Sequence, residues 1–392
     1  MGIQSGSATF TRFYVPEPVT EEFWTFVREK LSAGRFNEPD DVQEETSGFA
    51  RWEDFFESSF DDGSYHKGEY IVFHFRTDVR KVPSIVLKKF VHDALRKYRN
   101  ENEGRWPSRQ ERREIQEEMR SMLLNRSLPQ PSAFEVVWNP SSHQMLLGTT
   151  STRMMEAFLE VFEKNFQIYP IPLYHANWAH HLAGLTVQEK DALSGLVETK
   201  SATAMEDGRF LGFEFLTWIW FFVEKGEGRL QLPDGKVGEI HLGERFVLTL
   251  PREGREKIVC TTQANSLHEA RTALQKGKFV QEMQLLIIVG DNEYLLTLDS
   301  GLWAVKSLRT PRQMTDFRED DEDGFFLEKM YFIEEISSAL NTLYTGFLKN
   351  RLTSSWEREV LPSFKAWMEN PKEATLPPGE EFPQDHSETR AP

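Results

Sequence analysis

The stretch VPSIVLKKFVHDALRKYRNENEGRWPSRQERREIQEEMRSMLLNRSLP, residues 82–129, decides how this chain is read. From residue 84 to about 99, Leu87, Val91, Leu95 and Tyr98 recur at helical spacing, while Lys88, His92, Arg96 and Arg99 fall on another side. That is the pattern of an amphipathic helix with a basic flank. Gly104 and Pro107 interrupt it, and a second helix is predicted over 108–124, with Ile115, Met119 and Met122 as its apolar side and Arg109, Arg112, Arg113 and Arg120 as its basic side. Two amphipathic helices joined by so short a polar turn meet along their apolar stripes, which gives an antiparallel helical hairpin.

On the N-terminal side, residues 9–15 read as a strand. A helix follows with Thr20 as N-cap, Glu21 and Glu22 in its first turn, and Phe23, Val27 and Leu31 as its stripe. Residues 69–79 (EYIVFHFRTDV) alternate as a half-buried strand should, and Pro83 ends that segment. On the C-terminal side, a turn over 125–132 leads to strands 134–138 and 144–149 across NPSS, then a helix over 154–166 and a short extended segment at 168–173. The region up to 198 is expected to be helical in part. Residues 210–260 read as a run of strands, with turns at KGEG, PDGK, LGE and PREG. A helix over 265–276 stops at Gly277, strands 282–289 and 294–298 turn through GDN, and an acidic run leads into a long helix pattern ending near Trp367. The Pro- and Glu-rich segment from 370 on is expected to be a disordered tail.

The chain has 392 residues, 39% of them hydrophobic, which is enough for a large core and more than one packed unit. A formal charge of −16 argues against a uniformly basic surface. Phosphates respond to local charge, however, and residues 76–126 hold 14 Lys and Arg against 8 Asp and Glu. The single cysteine, Cys260, excludes an intramolecular disulfide or a Cys-based zinc site and fits a reducing compartment. No secretory signal is read at the N-terminus, and the most apolar run, residues 211–223 (LGFEFLTWIWFFV), is too short to span a bilayer and contains Glu214.

Few residues suggest chemistry. His175, His180 and His181 have a spacing that does not gather three ligands on one helix face. Asp234, Glu239 and His241 loosely resemble a nuclease motif, but Asp234-Gly235 is more simply a hairpin turn. No GxxxxGK[ST] loop is present, so nucleotide use is not indicated, and no cofactor is expected. The aromatics of EFLTWIWFF could stack on bases but read better as core, and Cys260 as a buried small hydrophobe. Taken alone, the two basic helices are more simply a solvated face, since Glu114, Glu117 and Glu118 sit among the arginines.

The order of elements, together with KGEY at 67–70, VPSIVLKKFV at 82–91, LLNRSLP at 123–129, FEVVW at 134–138, EFLTWIWF at 214–221 and LQKGKFVQEMQL at 274–285, resembles the RdgC family over roughly residues 8–350. The resemblance reverses the preference for a solvated face. It implies an α+β protein of mixed or antiparallel sheets with a projecting basic helical hairpin, assembled as a ring-forming homodimer around double-stranded DNA. It also implies binding with little sequence preference, restraint of RecA recombinase loading, and a cytoplasmic, nucleoid-associated location without membrane contact.

On that reading residues 1–82 are an N-terminal α/β part of the central and base region, 83–130 the hairpin tip, and 131–200 an α/β central region. Residues 201–310 are then a strand-rich C-terminal region, 311–369 C-terminal helices and 370–392 the tail. Arg105 and Arg126 match positions where the family places basic residues for DNA contact or ring closure. Lys88, Lys89, Arg96, Arg109, Arg112, Arg113 and Gln263 complete the expected DNA-binding set. Leu128 stands where the family commonly has an aromatic dimer contact, and Thr262-Gln263 where it has Lys-Gln. Two other classes stay open, a metal-dependent DNA exonuclease working through the Asp234 region and a protein-only assembly factor.

Overall fold

The computed structural model describes residues 2–16, 22–38, 44–201, 209–226, 228–250, 256–261, 266–311 and 321–369. Thr20, Glu21, Thr262, Gln263 and the segment 370–392 lie outside the described residues.

Strand β1 (Ala8–Tyr14) is shared by two halves of one large sheet. After it come α1 (Phe23–Ala33), β2 (Glu45–Ala50), β3 (His66–Lys67) and β4 (Tyr70–Val79), then two helices, α2 (Ser84–Glu101) and α3 (Arg109–Arg126). Next are β5 (Gln130–Asn139), β6 (Gln144–Leu147), α4 (Thr152–Phe166), β7 (Ile171–Pro172), α5 (His175–Leu182) and α6 (Val187–Ser201). The second half holds α7 (Phe210–Glu224), β8 (Arg229–Gln231), β9 (Val237–Thr249), β10 (Lys257–Cys260), α8 (Ser266–Gln275), β11 (Phe279–Val289), β12 (Asn292–Asp299), β13 (Val305–Arg309), α9 (Glu322–Arg351) and α10 (Leu361–Glu369). The sheet runs β10-β9-β11-β12-β13-β1-β6-β5-β4-β2, and every pairing between these strands is antiparallel. Ala8 and Phe10 of β1 face β13, and Thr11 to Tyr14 face β6. The α+β class expected from the sequence is therefore present, with the sheet antiparallel rather than mixed.

Two cores flank the N-terminal half. Ile71, Phe73 and Phe75 of β4 point into one core with α1 and α4, where Phe158, Phe162 and Phe166 recur at helical spacing. Tyr70 and Val72 point the other way, into a core shared with α5, α7 and α9. β4 is thus buried on both faces along most of its length, not half-buried as its alternation predicts. The second cover is α9, some 250 residues downstream, and nothing in a local window announces it.

Helix α9 ties the halves together through two adjacent carboxylates. Glu334 accepts from the Tyr70 hydroxyl at 2.8 Å and from Asn139 Nδ2 at 3.1 Å, both in the N-terminal half. Glu335, buried, accepts from Lys236 Nζ at 2.5 Å, Asn292 Nδ2 at 2.8 Å and the Tyr294 hydroxyl, all in the C-terminal half. Satisfying a buried carboxylate with several donors offsets its desolvation, and the two carboxylates together fix α9 to both halves of the sheet at once.

Three expectations need correction. Residues 210–224, predicted as strand, form the helix α7, buried on nearly every face. An apolar run of that length without alternation is a core helix hydrophobic all round rather than a strand, and its length should have arbitrated. The region 201–310 is accordingly not strand-rich throughout. The long C-terminal helix pattern is interrupted, because after Arg351 the Thr353 hydroxyl bonds Asn350 O at 2.8 Å and Ser355 Oγ at 2.7 Å, local bonds that compete with the helix ladder. The turn predicted over 125–132 is shorter: α3 runs to Arg126 and β5 starts at Gln130.

Candidate nucleic-acid interface

The hairpin grows from the Val79–Gln130 pair at the end of the β4–β5 ladder. Buried Arg76 stiffens that root through a two-pronged bond to Asp78, Nε to Oδ1 at 2.8 Å and Nη2 to Oδ2 at 2.7 Å. Pro83 then stands at the N-cap position of α2, where its missing N–H costs nothing. No residue of α2 is buried, and its half-buried side chains, Val86, Leu87, Phe90, Val91, Ala94, Leu95 and Tyr98, form one stripe. The partner is α3, whose Ile115, Met119 and Met122 are also half-buried and whose Leu123 and Leu124 are buried near the root.

The connection is a tight one. Glu103 (φ 50°) and Gly104 (φ 85°) occupy the left-handed region in succession, so that a glycine is needed at the second. Ser108 then caps α3 in a capping box: its hydroxyl accepts from Glu111 N at 3.3 Å, and Glu111 Oε2 accepts from Ser108 N at 2.7 Å. The other oxygen of Glu111 accepts from the Tyr98 hydroxyl at 2.5 Å and from Arg105, which also donates to the Tyr98 oxygen. These bonds, the Tyr98 hydroxyl first and the Ser108 N–H next, hold the Glu111 carboxyl down at about 2.

A carboxyl lowered on folding contributes stability that is present above its unfolded value of about 4.3 and is lost as pH falls through the folded one. Amide protection at residues 105–112 should therefore fall between about pH 4.5 and 2 while protection in α4 persists. Hydrogen exchange across that window checks this, and tip and α4 losing protection together would contradict it.

Charge is sorted around both helices. On α2, Lys88, Lys89, His92, Arg96 and Arg99 lie within an arc of about 100° and are all exposed. On α3, Arg109, Arg113 and Arg120 share one arc, and Glu114, Glu117 and Glu118 occupy another. Arg120 is engaged, meeting Glu44 at 2.5 and 2.6 Å and so bracing α3 against the chain before β2. Lys88, Lys89, Arg96, Arg109, Arg113 and Arg126 are exposed and form no ion pair among the described residues. Arg109 and Arg126 stand at opposite ends of α3, about 25 Å apart, a length that matches about seven phosphate spacings of one duplex strand.

The sequence-predicted residues thus divide by location. Lys88, Lys89 and Arg96 cluster on α2, and Arg109 and Arg113 on α3. Arg105 is bound up in the tip, while Arg112 lies 5.7 Å from the ring of Trp106. Arg126, expected in a turn, occupies the last turn of α3. Leu128 is 84% exposed just beyond it, and Ile85 is 73% exposed at the start of α2. Gln263 falls outside the described residues. Sequence reasoning missed Trp106, an exposed indole with Arg99 at 4.8 Å, because a single aromatic in a turn carries no periodic signal.

The other candidates sit elsewhere. His175 is buried with Nε2 2.7 Å from Ser300 O, and His181 stacks on Tyr14 at 4.5 Å. Asp234 accepts from Lys236 N at 3.1 Å within a hairpin turn where Gly235 has φ 85°. Among the described residues no three His, Cys, Asp or Glu side chains are grouped to hold a metal ion, and no helix is long and apolar enough to cross a membrane. Burial raises the Cys260 thiol.

A family model described as "Putative exonuclease, RdgC" matches residues 13–184. Over that span the chain matches the RdgC family. The RdgC segment runs from the end of β1 to the end of α5 and so includes the whole hairpin and the sheet half from which it grows. Two stretches of the sequence resemblance, at 214–221 and 274–285, lie beyond the RdgC match. A comparison with curated proteins returned no match.

Proposed function

We propose that this chain binds double-stranded DNA without reading its sequence, contacts phosphates through the α2–α3 hairpin, and acts without catalysis in a recombination-associated role. The observation that carries the reading is the set of exposed cations free of ion pairs among the described residues, Lys88, Lys89, Arg96, Arg109, Arg113 and Arg126, on a hairpin within the family-matched span. Phosphates are alike at every base pair, so positive groups at phosphate spacing bind through counterion release and carry no sequence information.

The strongly acidic remainder of the chain complements this arrangement. With a total of −16 and a positive balance over residues 76–126, the rest of the molecule repels DNA and steers it to the hairpin. The family resemblance adds a homodimer that encloses the duplex, with Leu128 at the contact between hairpins and restraint of RecA loading as the outcome. Exposed Leu128 and Ile85 at the hairpin root are apolar groups such a contact would cover.

The family description also names an exonuclease, so binding and cleavage must be separated. Incubating the pure chain with an end-labelled duplex at low salt, with Mg²⁺ or Mn²⁺, should retard the label and leave its length unchanged. Shortened product would replace the binder with a nuclease, and an unretarded label would leave a protein-only adaptor.

A further inference from the structure

Trp106 occupies the hairpin tip and is 58% exposed even with two guanidiniums beside it, Arg99 at 4.8 Å and Arg112 at 5.7 Å from its ring. Single exposed apolar side chains are common and need no explanation by themselves. This one differs from exposed Phe56 and Tyr331 in how it is held. Phe56, equally exposed, has its ring against Phe55 at 4.3 Å and near it Arg76, which is already committed to Asp78. The Tyr331 hydroxyl is bonded to Glu335 and Lys236. Trp106 instead follows two left-handed residues, precedes buried Pro107, and sits next to Arg105, whose bonds to Tyr98 and Glu111 fix the turn.

Arg99 and Arg112 lie over the Trp106 ring and form no ion pair among the described residues, so cations with spare hydrogen-bonding capacity stand over an indole that is still largely exposed. An exposed ring with unpaired guanidiniums over it matches a nucleotide, whose phosphate draws the guanidiniums and whose flat base takes the π-face. Resting on the DNA-binding reading above, we propose that the tip holds an unpaired nucleobase, with Trp106 as the stacking platform and Arg99 and Arg112 taking the adjoining phosphates. Bases inside an intact duplex have both faces covered by their neighbours, whereas a gap or single strand offers one. The hairpin then combines two functions: its shaft follows the backbone of any duplex, and its tip favours DNA with unpaired bases.

The test uses the full chain and two end-capped duplexes of equal length, one intact and one with a five-nucleotide gap, titrated by fluorescence anisotropy. Stacking of one base should favour the gapped DNA by about 5- to 150-fold. Trp106→Ala and Trp106→Leu should remove that preference and leave intact-duplex affinity unchanged, and Trp106→Phe should keep most of it. Leucine preserves apolar bulk at the tip without a π-face, so its result separates stacking from packing. A preference retained by the leucine variant, no preference in the unaltered chain, or equal weakening of both DNAs overturns the tip site. Failure of the unaltered chain to bind either DNA would instead remove the DNA-binding reading itself.

Discussion

Replacing Lys88, Lys89, Arg96 and Arg113 together by alanine should lower affinity for a duplex by roughly 10³-fold at about 0.1 M salt while leaving the fold intact. Each phosphate neutralised contributes about 0.9 to the slope of log K against log salt, so four lost contacts reduce that slope by about 3.6 and extrapolate to such a loss. The four are chosen by the geometry. They are exposed, lack ion pairs among the described residues, and lie on the outer arcs of their helices, so no packing is lost with them. Arg105 and Arg120 are excluded because they bond Glu111 and Glu44, and removing them would disturb the hairpin as well as its charge. A salt titration of both proteins on one duplex checks the slope. Affinity unchanged within twofold would take the hairpin out of the interface.

Trp303→Ala should destabilise the chain by about 3–5 kcal/mol, the range for emptying a fully buried aromatic site. Trp303 is 0% exposed and lies 4.8 Å from Phe215, 4.9 Å from Trp178 and 5.0 Å from Tyr344, ring centre to ring centre. These residues come from α7, α5 and α9, so the indole fills the point where three helices meet the second half of the sheet. Its neighbours are rings and helix backbones that cannot collapse into the space. Phe56→Ala, at a ring 60% exposed, should cost no more than about 0.5 kcal/mol. Urea midpoints of the two variants measure the contrast. Similar midpoints would show that this aromatic group does not hold the halves together.

How far the sequence discloses this molecule depends on how local each determinant is. The hairpin is legible because its apolar stripe, its basic flanks and its Gly104–Pro107 break all fall within one window. The same window does not disclose that Arg105 turns inward to Tyr98 and Glu111, since that needs the two helices already docked. It also leaves Trp106 unremarked. α7 resembles a strand in sequence because an element buried on all sides has no period to read. β13 was not anticipated, since five residues with a lysine and an arginine give too short an alternation. The two-sided burial of β4 depends on the distant helix α9, and the paired roles of Glu334 and Glu335 depend on partners 41 to 264 residues away.

Charge is the least legible feature, because a net value of −16 conceals a positive segment and a run of arginines interspersed with glutamates looks like an ordinary solvated surface. Only helical geometry separates Arg109 and Arg113 from Glu114, Glu117 and Glu118. It also shows which cations are engaged, a distinction that composition cannot make.

The most direct test of the account is the salt dependence of the unaltered chain on two duplexes of equal length and unrelated sequence. Phosphate binding by the hairpin should give coincident lines of log K against log salt, with a slope of magnitude at least about 4 from its exposed cations. A flat line, or two lines separated by sequence, would contradict phosphate binding by the hairpin.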